Sequence, residues 1–263
     1  MNPEEYGRMF DAEETQWWYA GMRAISMALL APALAARPER AWILDAGCGT
    51  GHNLHHLSRL GRAVGVDLAD EALRFCRIRG VPAAKAGLLA LPFPDATFDC
   101  VTSFDVLYHR WVEDDRAAVA ELARVLRPGG VLFVRVPALR ALWGAHDEAV
   151  HSRHRYTRTE VKTLLRAAGL HVVRASYGNT LLLPLLATRR TLDRITGRHG
   201  SDVAFLPAPF ERAFRALLEV EARLVRVVSL PIGASVFALA RRPPTAGSAG
   251  PSGYNPRMES APR

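Results

Sequence analysis

Two stretches concentrate side chains that could do chemistry. Ile43 to Gly51 reads ILDAGCGTG, in which an apolar run ends at Asp45 and Gly47, Gly49 and Gly51 follow at alternate positions. Trp143 to Tyr156 reads WGAHDEAVHSRHRY, which sets His146, His151 and His154 among Asp147, Glu148, Arg153 and Arg155. Alternate glycines let backbone pass close to a ligand where side chains would collide. The histidine-rich stretch admits three readings: a metal site, a strip of charge for nucleic acid, or a polar lid over a site built elsewhere.

Spacing narrows both. A dinucleotide loop has the pattern GxGxxG with its third glycine inside a helix, whereas this one is GxGxG, and Asp45 would repel a pyrophosphate while suiting an ammonium. A phosphate loop needs a lysine and then Ser or Thr after its glycines, and His52 and Asn53 stand there instead. The next apolar run, AVGVD, ends in Asp67, the place where an acid grips the vicinal hydroxyls of a ribose. Glycines and acid together point to a nucleoside, since they have no evident packing reason to occur as a pair. As for metal, only Asp147 with His151, or His151 with His154, could share a helical face. No HExxH pattern occurs and Arg153 and Arg155 would repel a cation, so no metal is expected.

These residues need elements to position them. AWILDAG, AVGVDL, FDCVTSF and GVLFVRV are β-rich runs, each followed by helical periodicity, the order of a parallel sheet with crossover helices. Asp114 to Leu126 reads as a helix stopped by Pro128, Gly129 and Gly130, and Thr157 to Ala168 as a helix opened by a Thr157–Glu160 capping box. LHVVRASY and ASVFALARR are two further strands. The gap between them is too long for a loop and is filled by helices, including Pro207 to Val228. There Phe210, Phe214, Leu217, Leu218, Leu224, Val225 and Val228 align opposite a charged side, with Glu211–Arg215 and Glu219–Arg223 as i,i+4 pairs. Residues 243–263, rich in proline, glycine and small polar residues, read as a disordered tail.

The chain has 263 residues, 49% of them hydrophobic, which suits one α/β domain. Its net charge is +8, and every basic residue except Lys85 and Lys162 is arginine. That balance permits an anionic partner without requiring one. Cys48, Cys76 and Cys100 lie far apart in sequence with no CxxC pair, so neither a disulfide frame nor a zinc knuckle is indicated and a reducing compartment fits. The opening MNPEEYGRMFDAEE lacks the order of a signal peptide, and no unbroken run of about 18 apolar residues occurs, so a cytoplasmic protein without a membrane span is expected.

From residue 40 to about 175 the motifs in this order resemble the class I S-adenosylmethionine-dependent methyltransferases: LDAGCGTG, Asp67, LPFPDATFDCV and ELARVLRPGGVLFVRVP. The resemblance implies a Rossmann-like α/β fold: a seven-stranded, mostly parallel sheet with a final antiparallel hairpin, helices on both faces, and a helical insertion before the last strand. It divides the chain into an N-terminal helical and aromatic lid (1–40), a methyltransferase domain (41–242, with 178–232 as insertion or cap) and the tail. S-adenosylmethionine is the implied cofactor, held by Asp45, Ala46, Gly47, Cys48, Gly49, Gly51 and Asp67. Relatives often carry an acid before the LPF segment for the adenine amino group, but Gly87 stands there, which leaves adenine to Leu68 and to backbone near Leu88. Asp105, Tyr108 and His109 follow the fourth strand, where relatives border the methyl group.

Methyl transfer needs alignment of an acceptor and, for a hydroxyl or amine, removal of a proton, for which a histidine is the natural base. His109 and His146 are the candidates. The histidine-rich stretch follows the fifth strand, on the edge where open α/β sheets bind ligands. It reads there as a lid of His146, Asp147, His151, Arg155 and Tyr156, with Trp18 of the WWY motif opposite. The aromatic opening and the HDEAVHSRHRYT segment resemble small methyltransferases found with sugar and glycolipid assembly enzymes, which implies O-methylation of a small-molecule or lipid-linked acceptor. Apolar faces beside arginines in the insertion suit peripheral contact with an anionic membrane at the inner face. Nucleic acid is disfavoured, because basic patches lack interleaved aromatics and no NPPY or proline-cysteine motif occurs. The alternatives are an RNA-modifying methyltransferase and a non-catalytic cofactor-binding scaffold.

Overall fold

The computed structural model describes residues 3–35, 41–196 and 206–244. The expected tail, 243–263, lies outside the described residues but for Pro243 and Pro244. Strands β1 (Ala41–Ala46), β2 (Gly61–Asp67), β3 (Ala83–Lys85), β4 (Phe98–Phe104), β5 (Leu126–Pro137), β6 (His171–Gly178) and β7 (Ser235–Arg241) form one sheet in the order β3-β2-β1-β4-β5-β7-β6. The first five run parallel, and β7 is antiparallel to both β5 and β6. The seven strands and the closing antiparallel hairpin are those the resemblance implied. The chain moves outward from β1 through β2 to β3, then returns to β4 on the other side of β1. That reversal opens a crevice at the carboxyl ends of β1 and β4.

Among the described residues the α-helices are α1 (Pro3–Ala12), α2 (Trp17–Ala35), α3 (His52–Leu57), α4 (Asp70–Arg79), α5 (Asp115–Val125), α6 (Ala145–Ala149), α7 (Arg158–Ala167), α8 (Leu183–Thr196) and α9 (Ala208–Val227). Successive strand residues face opposite layers. Ile43, Cys100, Phe133 and Phe237 pack with Met22, Ile25, Leu218 and Val225, while Leu44, Val101, Leu132 and Ala238 pack with Leu122, Val161 and Leu165. With both faces covered, strands such as β4 are buried at every residue, hence their unbroken apolar character. The expected capping box forms, since Thr157 exchanges bonds with Glu160; at the start of α5 Asp114 accepts from the N–H of Arg116 and Ala117 at 2.8 and 3.0 Å.

Three features depart from the sequence reading. Strand β3, only three residues long, carries too little pattern to be singled out. Residues 1–40 were set apart as a lid, yet α2 belongs to the core layer, with Met22, Ile25 and Leu30 fully buried. In α9 the aligned apolar residues do not form one buried face: Leu218 and Val225 are buried, but Phe210, Leu217, Leu224 and Val228 are exposed. Nor does Glu211 pair with Arg215. Its carboxylate accepts the N–H of Trp17 at 2.7 Å and of Leu206 at 3.0 Å, capping the free start of α2, while Arg215 pairs with Glu219 at 3.0 Å.

Helices α2 and α9 meet at Gly21, where an added Cβ would lie 2.1 Å from Leu218 Cδ1 and 2.5 Å from its Cβ. The second atom is fixed to the backbone, so the helices themselves would have to separate. Gly21→Ala is therefore expected to lose about 1–3 kcal/mol despite alanine's better helix propensity, checked by urea denaturation.

Candidate active site

A cavity of about 690 Å³ lies at the carboxyl edge of β1, β2 and β4. Gly47, Cys48, Gly49, Asp67, Leu68, Leu88 and Asp105 line it, whereas Asp45, Ala46 and Gly51 do not. The loop is fastened to β2: the N–H groups of Gly47 and Cys48 both donate to Val66 O, at 2.8 and 2.9 Å. Asp67 Oδ2 accepts from Gly49 N at 2.9 Å and Oδ1 from Ala69 N at 3.0 Å. All three glycines lie at positive φ, of 82°, 54° and 81°, and two of them have a further reason. A Cβ on Gly47 would meet Val106 Cγ2 at 2.3 Å and one on Gly51 would meet Val81 Cγ2 at 2.6 Å, so both make room for protein. Only Gly49, whose nearest neighbour would be Met9 Cε at 3.3 Å, is open toward the cavity. Glycines and acid thus do have a packing reason to occur together.

Asp45 is buried behind the loop, where Oδ1 accepts from Thr102 Oγ1 at 2.8 Å and Oδ2 has no hydrogen-bond partner. Burial pushes its carboxyl up to about 7, against the Thr102 bond and the Arg135 charge. At the far wall a Cβ on Gly87 would touch Leu68 at 3.2 Å, and Leu68 itself is half exposed beside Leu88.

Sequence reasoning missed α1 and the turn after it. Tyr6 and Met9 line the cavity, and Phe10 stacks on Phe75 of α4 with ring centres 4.7 Å apart, which fastens α1 across the opening. Glu13, also in the wall, accepts from Thr50 Oγ1 of the glycine loop and from Arg79 Nη2 at 2.9 Å. Burial pushes its carboxyl up to about 7 although Thr50 and Arg79 pull it down. The available signal was the aromatic spacing of Tyr6 and Phe10. Nothing local marks Glu13 among its acidic neighbours.

A second, narrower cavity of about 170 Å³ adjoins the first, and both are lined by Trp18, Tyr19, Asp105, Tyr108, His146 and Val150. At their junction Asp105, with φ of 56°, pairs with the buried Arg135 at 2.6 Å, and Arg135 lies over Trp18 and Phe104. His109 Nδ1 lies 2.7 Å from Val150 O, an atom that can only accept, so the proton sits on Nδ1 and Nε2 is the basic nitrogen. Burial holds His109 down at about 4. The imidazole of His146 has no hydrogen-bond or ion-pair partner among the described residues.

The rest of the histidine-rich stretch divides into frame and surface. Asp147 is buried, caps α6 through Gly144 N at 2.9 Å, and holds Arg155 by two bonds of 2.8 and 3.0 Å. Arg155 also donates to Ala138 O at 2.9 Å, fixing the stretch to the end of β5. Both line the second cavity. Tyr156, expected in the lid, is instead in the core, donating to Leu107 O at 3.1 Å and Asp115 Oδ2 at 2.7 Å. His151 lies edge-on to Trp111 and His154 beside Glu160; neither histidine lines either cavity.

A methyltransferase domain family matches residues 44–134, from the end of β1 to β5. Over those residues the chain is similar to methyltransferase domains. It is 34% identical over 144 residues to a probable S-adenosylmethionine-dependent methyltransferase of Mycolicibacterium smegmatis, covering 53% of this chain and 55% of that one. It is 33% identical to the malonyl-[acyl-carrier protein] O-methyltransferase of Methylococcus capsulatus, covering 58% and 60%. The chain therefore spans little more than half the length of these relatives. In fold it is similar to an S-adenosylmethionine-dependent methyltransferase from Archaeoglobus fulgidus, with a TM-score of 0.56, 15% identity, and 84% and 94% of the chains covered. S-adenosylmethionine is the cofactor of this family, and the site fits it: a bare glycine, a ribose-height acid, an apolar far wall, and carboxylates at the other end.

The raised Glu13 carboxyl has a consequence for stability. Folded, it keeps its proton to about pH 7, against an ordinary 4.5, so its contribution is full below about 4.5 and is lost as pH rises through 7. Glu13→Gln is expected to change little at pH 5 and to add roughly 1–3 kcal/mol at pH 8, read from urea midpoints at the two pH values.

Proposed function

We propose that the chain transfers a methyl group from S-adenosylmethionine to an oxygen of a small-molecule or lipid-linked acceptor. The observation that supports this reading best is the second cavity, which meets the first at Asp105, Tyr108 and His146. Two chambers sharing one wall can hold two reactants with their reacting atoms in line, and such alignment supplies much of the rate. When bound, the cofactor supplies a sulfonium-activated methyl group. Asp67 would hold the ribose, and the Gly49 backbone would admit the methionyl part. Trp18 and Tyr19 exclude water from the junction.

His146 accepts the acceptor's hydroxyl proton in this reading, since it lines both cavities and its ring has no partner among the described residues. His109 then holds the loop after β4 to Val150. Asn179 is 1% exposed and its Oδ1 has no partner, so it can accept from a donor on the acceptor. Arg189 and Arg190 stand in the same wall and favour an acceptor with a negative group. The relative that acts on malonyl-[acyl-carrier protein] is consistent with such an acceptor.

Calorimetry with S-adenosylhomocysteine checks the cofactor half: Asp67→Ala is expected to weaken binding at least about tenfold, and absence of binding by the parent chain would overturn the reading. For the acceptor half, methyl-labelled cofactor is incubated with cell extract and the products separated into small molecules, lipid, protein and RNA. Label is expected in the first two, and label confined to RNA would reject this acceptor class. Once an acceptor is in hand, His146→Ala is expected to lower kcat by about 10²-fold or more with cofactor affinity unchanged.

A further inference from the structure

Helix α9 carries more apolar surface than the described residues cover. At about 100° per residue, its buried side chains Leu218, Glu221, Ala222 and Val225 occupy an arc of roughly 100°. A second apolar arc of about that width adjoins it. It consists of Phe210, Leu217, Val220, Leu224, Val227 and Val228, which are 38 to 73% exposed. The remaining side holds Arg212, Arg215, Arg223 and Arg226, all exposed. Among the described residues only Arg215 has an acidic partner, Glu219. The other two acids of the helix are spent inside: Glu211 caps α2, and Glu221 accepts the N–H groups of Thr180 and Leu181 at 2.9 and 3.1 Å. The outer surface of α9 is therefore apolar beside a cationic strip.

We propose that this surface docks on an anionic lipid bilayer, with the apolar arc at the acyl boundary and the arginines at headgroup phosphates. A helix with a wide apolar side and an arginine-rich polar side has the build of one that lies in the bilayer interface. Phosphates neutralise Arg212, Arg223 and Arg226, which have no acidic partner among the described residues. A second copy fits less well, because a two-fold contact through the same arc would bring the arginine strips of both helices together. Helix α8 extends the pattern: Leu186, Arg189 and Arg190 line the second cavity, while Leu185, Leu192 and Ile195 are 50 to 75% exposed. A lipid-anchored acceptor would thus find the second cavity beside the docked region. The docking rests on the surface of α9 and stands independently of methyl transfer.

The test is sedimentation of the full chain with vesicles of phosphatidylglycerol and phosphatidylcholine, and with phosphatidylcholine alone. Binding at least about tenfold tighter to the anionic vesicles is expected, and lost in about 0.5 M NaCl. Combining Leu217→Ser, Leu224→Ser and Val227→Ser is expected to weaken it about tenfold or more. Combining Arg212→Gln, Arg223→Gln and Arg226→Gln is expected to abolish the anionic preference. These side chains are exposed, so both variants should keep the circular dichroism and S-adenosylhomocysteine affinity of the parent; the latter reads the methyl-transfer proposal separately. Equal binding to the two vesicle types, or serine substitutions without effect, would overturn the docking. So would a parent dimer that the serine variant converts to monomer, which would assign the arc to a second copy.

Discussion

Asp67 closes the glycine loop onto the end of β2, and the rest of the site is arranged around that closure. Its two oxygens accept from Gly49 and Ala69, one residue in the loop after β1 and one leading into α4. The carboxylate thus ties two neighbouring crossovers together, one strand away from the point where the sheet order reverses between β1 and β4. Burial raises its pKa while three backbone N–H groups lower it, so the loop's backbone dipoles oppose much of the cost of keeping a charge there. Each oxygen retains lone-pair capacity, and a ribose diol can be added without breaking the loop's own bonds. One residue serves both the fold and the ligand.

Two ion pairs then fix the edge where the cavities meet. Asp105–Arg135 joins the ends of β4 and β5, and Asp147–Arg155 ties the segment after β5 back to Ala138. Pairs this buried gain little net stability, because desolvation offsets attraction. They do make alternative arrangements expensive, since either partner alone would be a buried uncompensated charge. The loop after β4 and the segment after β5 are held to single positions by charge, and His146, whose imidazole has no partner among the described residues, is presented from that rigid surround.

Much of this was legible in the sequence because it is local. Strand runs, the Thr157–Glu160 box and the glycine loop each lie within a few residues, and their spacing has one sensible reading. The functions of individual side chains were less legible because partners come from far along the chain. Tyr156 looked like a lid aromatic until Asp115, 41 residues away, claimed its hydroxyl. Glu13 is one acid among several until Thr50 and Arg79 surround it. Glu211 at i,i+4 from Arg215 suggested a pair, but a helix start 194 residues away in sequence offered N–H groups that water would otherwise have to satisfy. Periodicity likewise identified α9 as amphipathic without saying which part of its apolar arc the sheet would cover.

The same helix links the insertion to the chemistry. Glu211 holds the start of α2, where Trp17 and Trp18 enter the second cavity, and Glu221 holds the start of α8, which carries Leu186, Arg189 and Arg190 into the opposite wall. Both bonds run from a carboxylate to backbone N–H groups that have no helical partner, so neither wall can move away without leaving donors unsatisfied. Glu221 is fully buried with Oε1 unpartnered, and its pKa is raised by burial. Such a group is retained at a cost to stability, which is understandable if position matters more than strength. The second cavity is therefore suspended from α9 on two sides. Whatever surface α9 rests on will bear on the spacing between the tryptophans and the arginines, the dimension that decides which acceptor can enter.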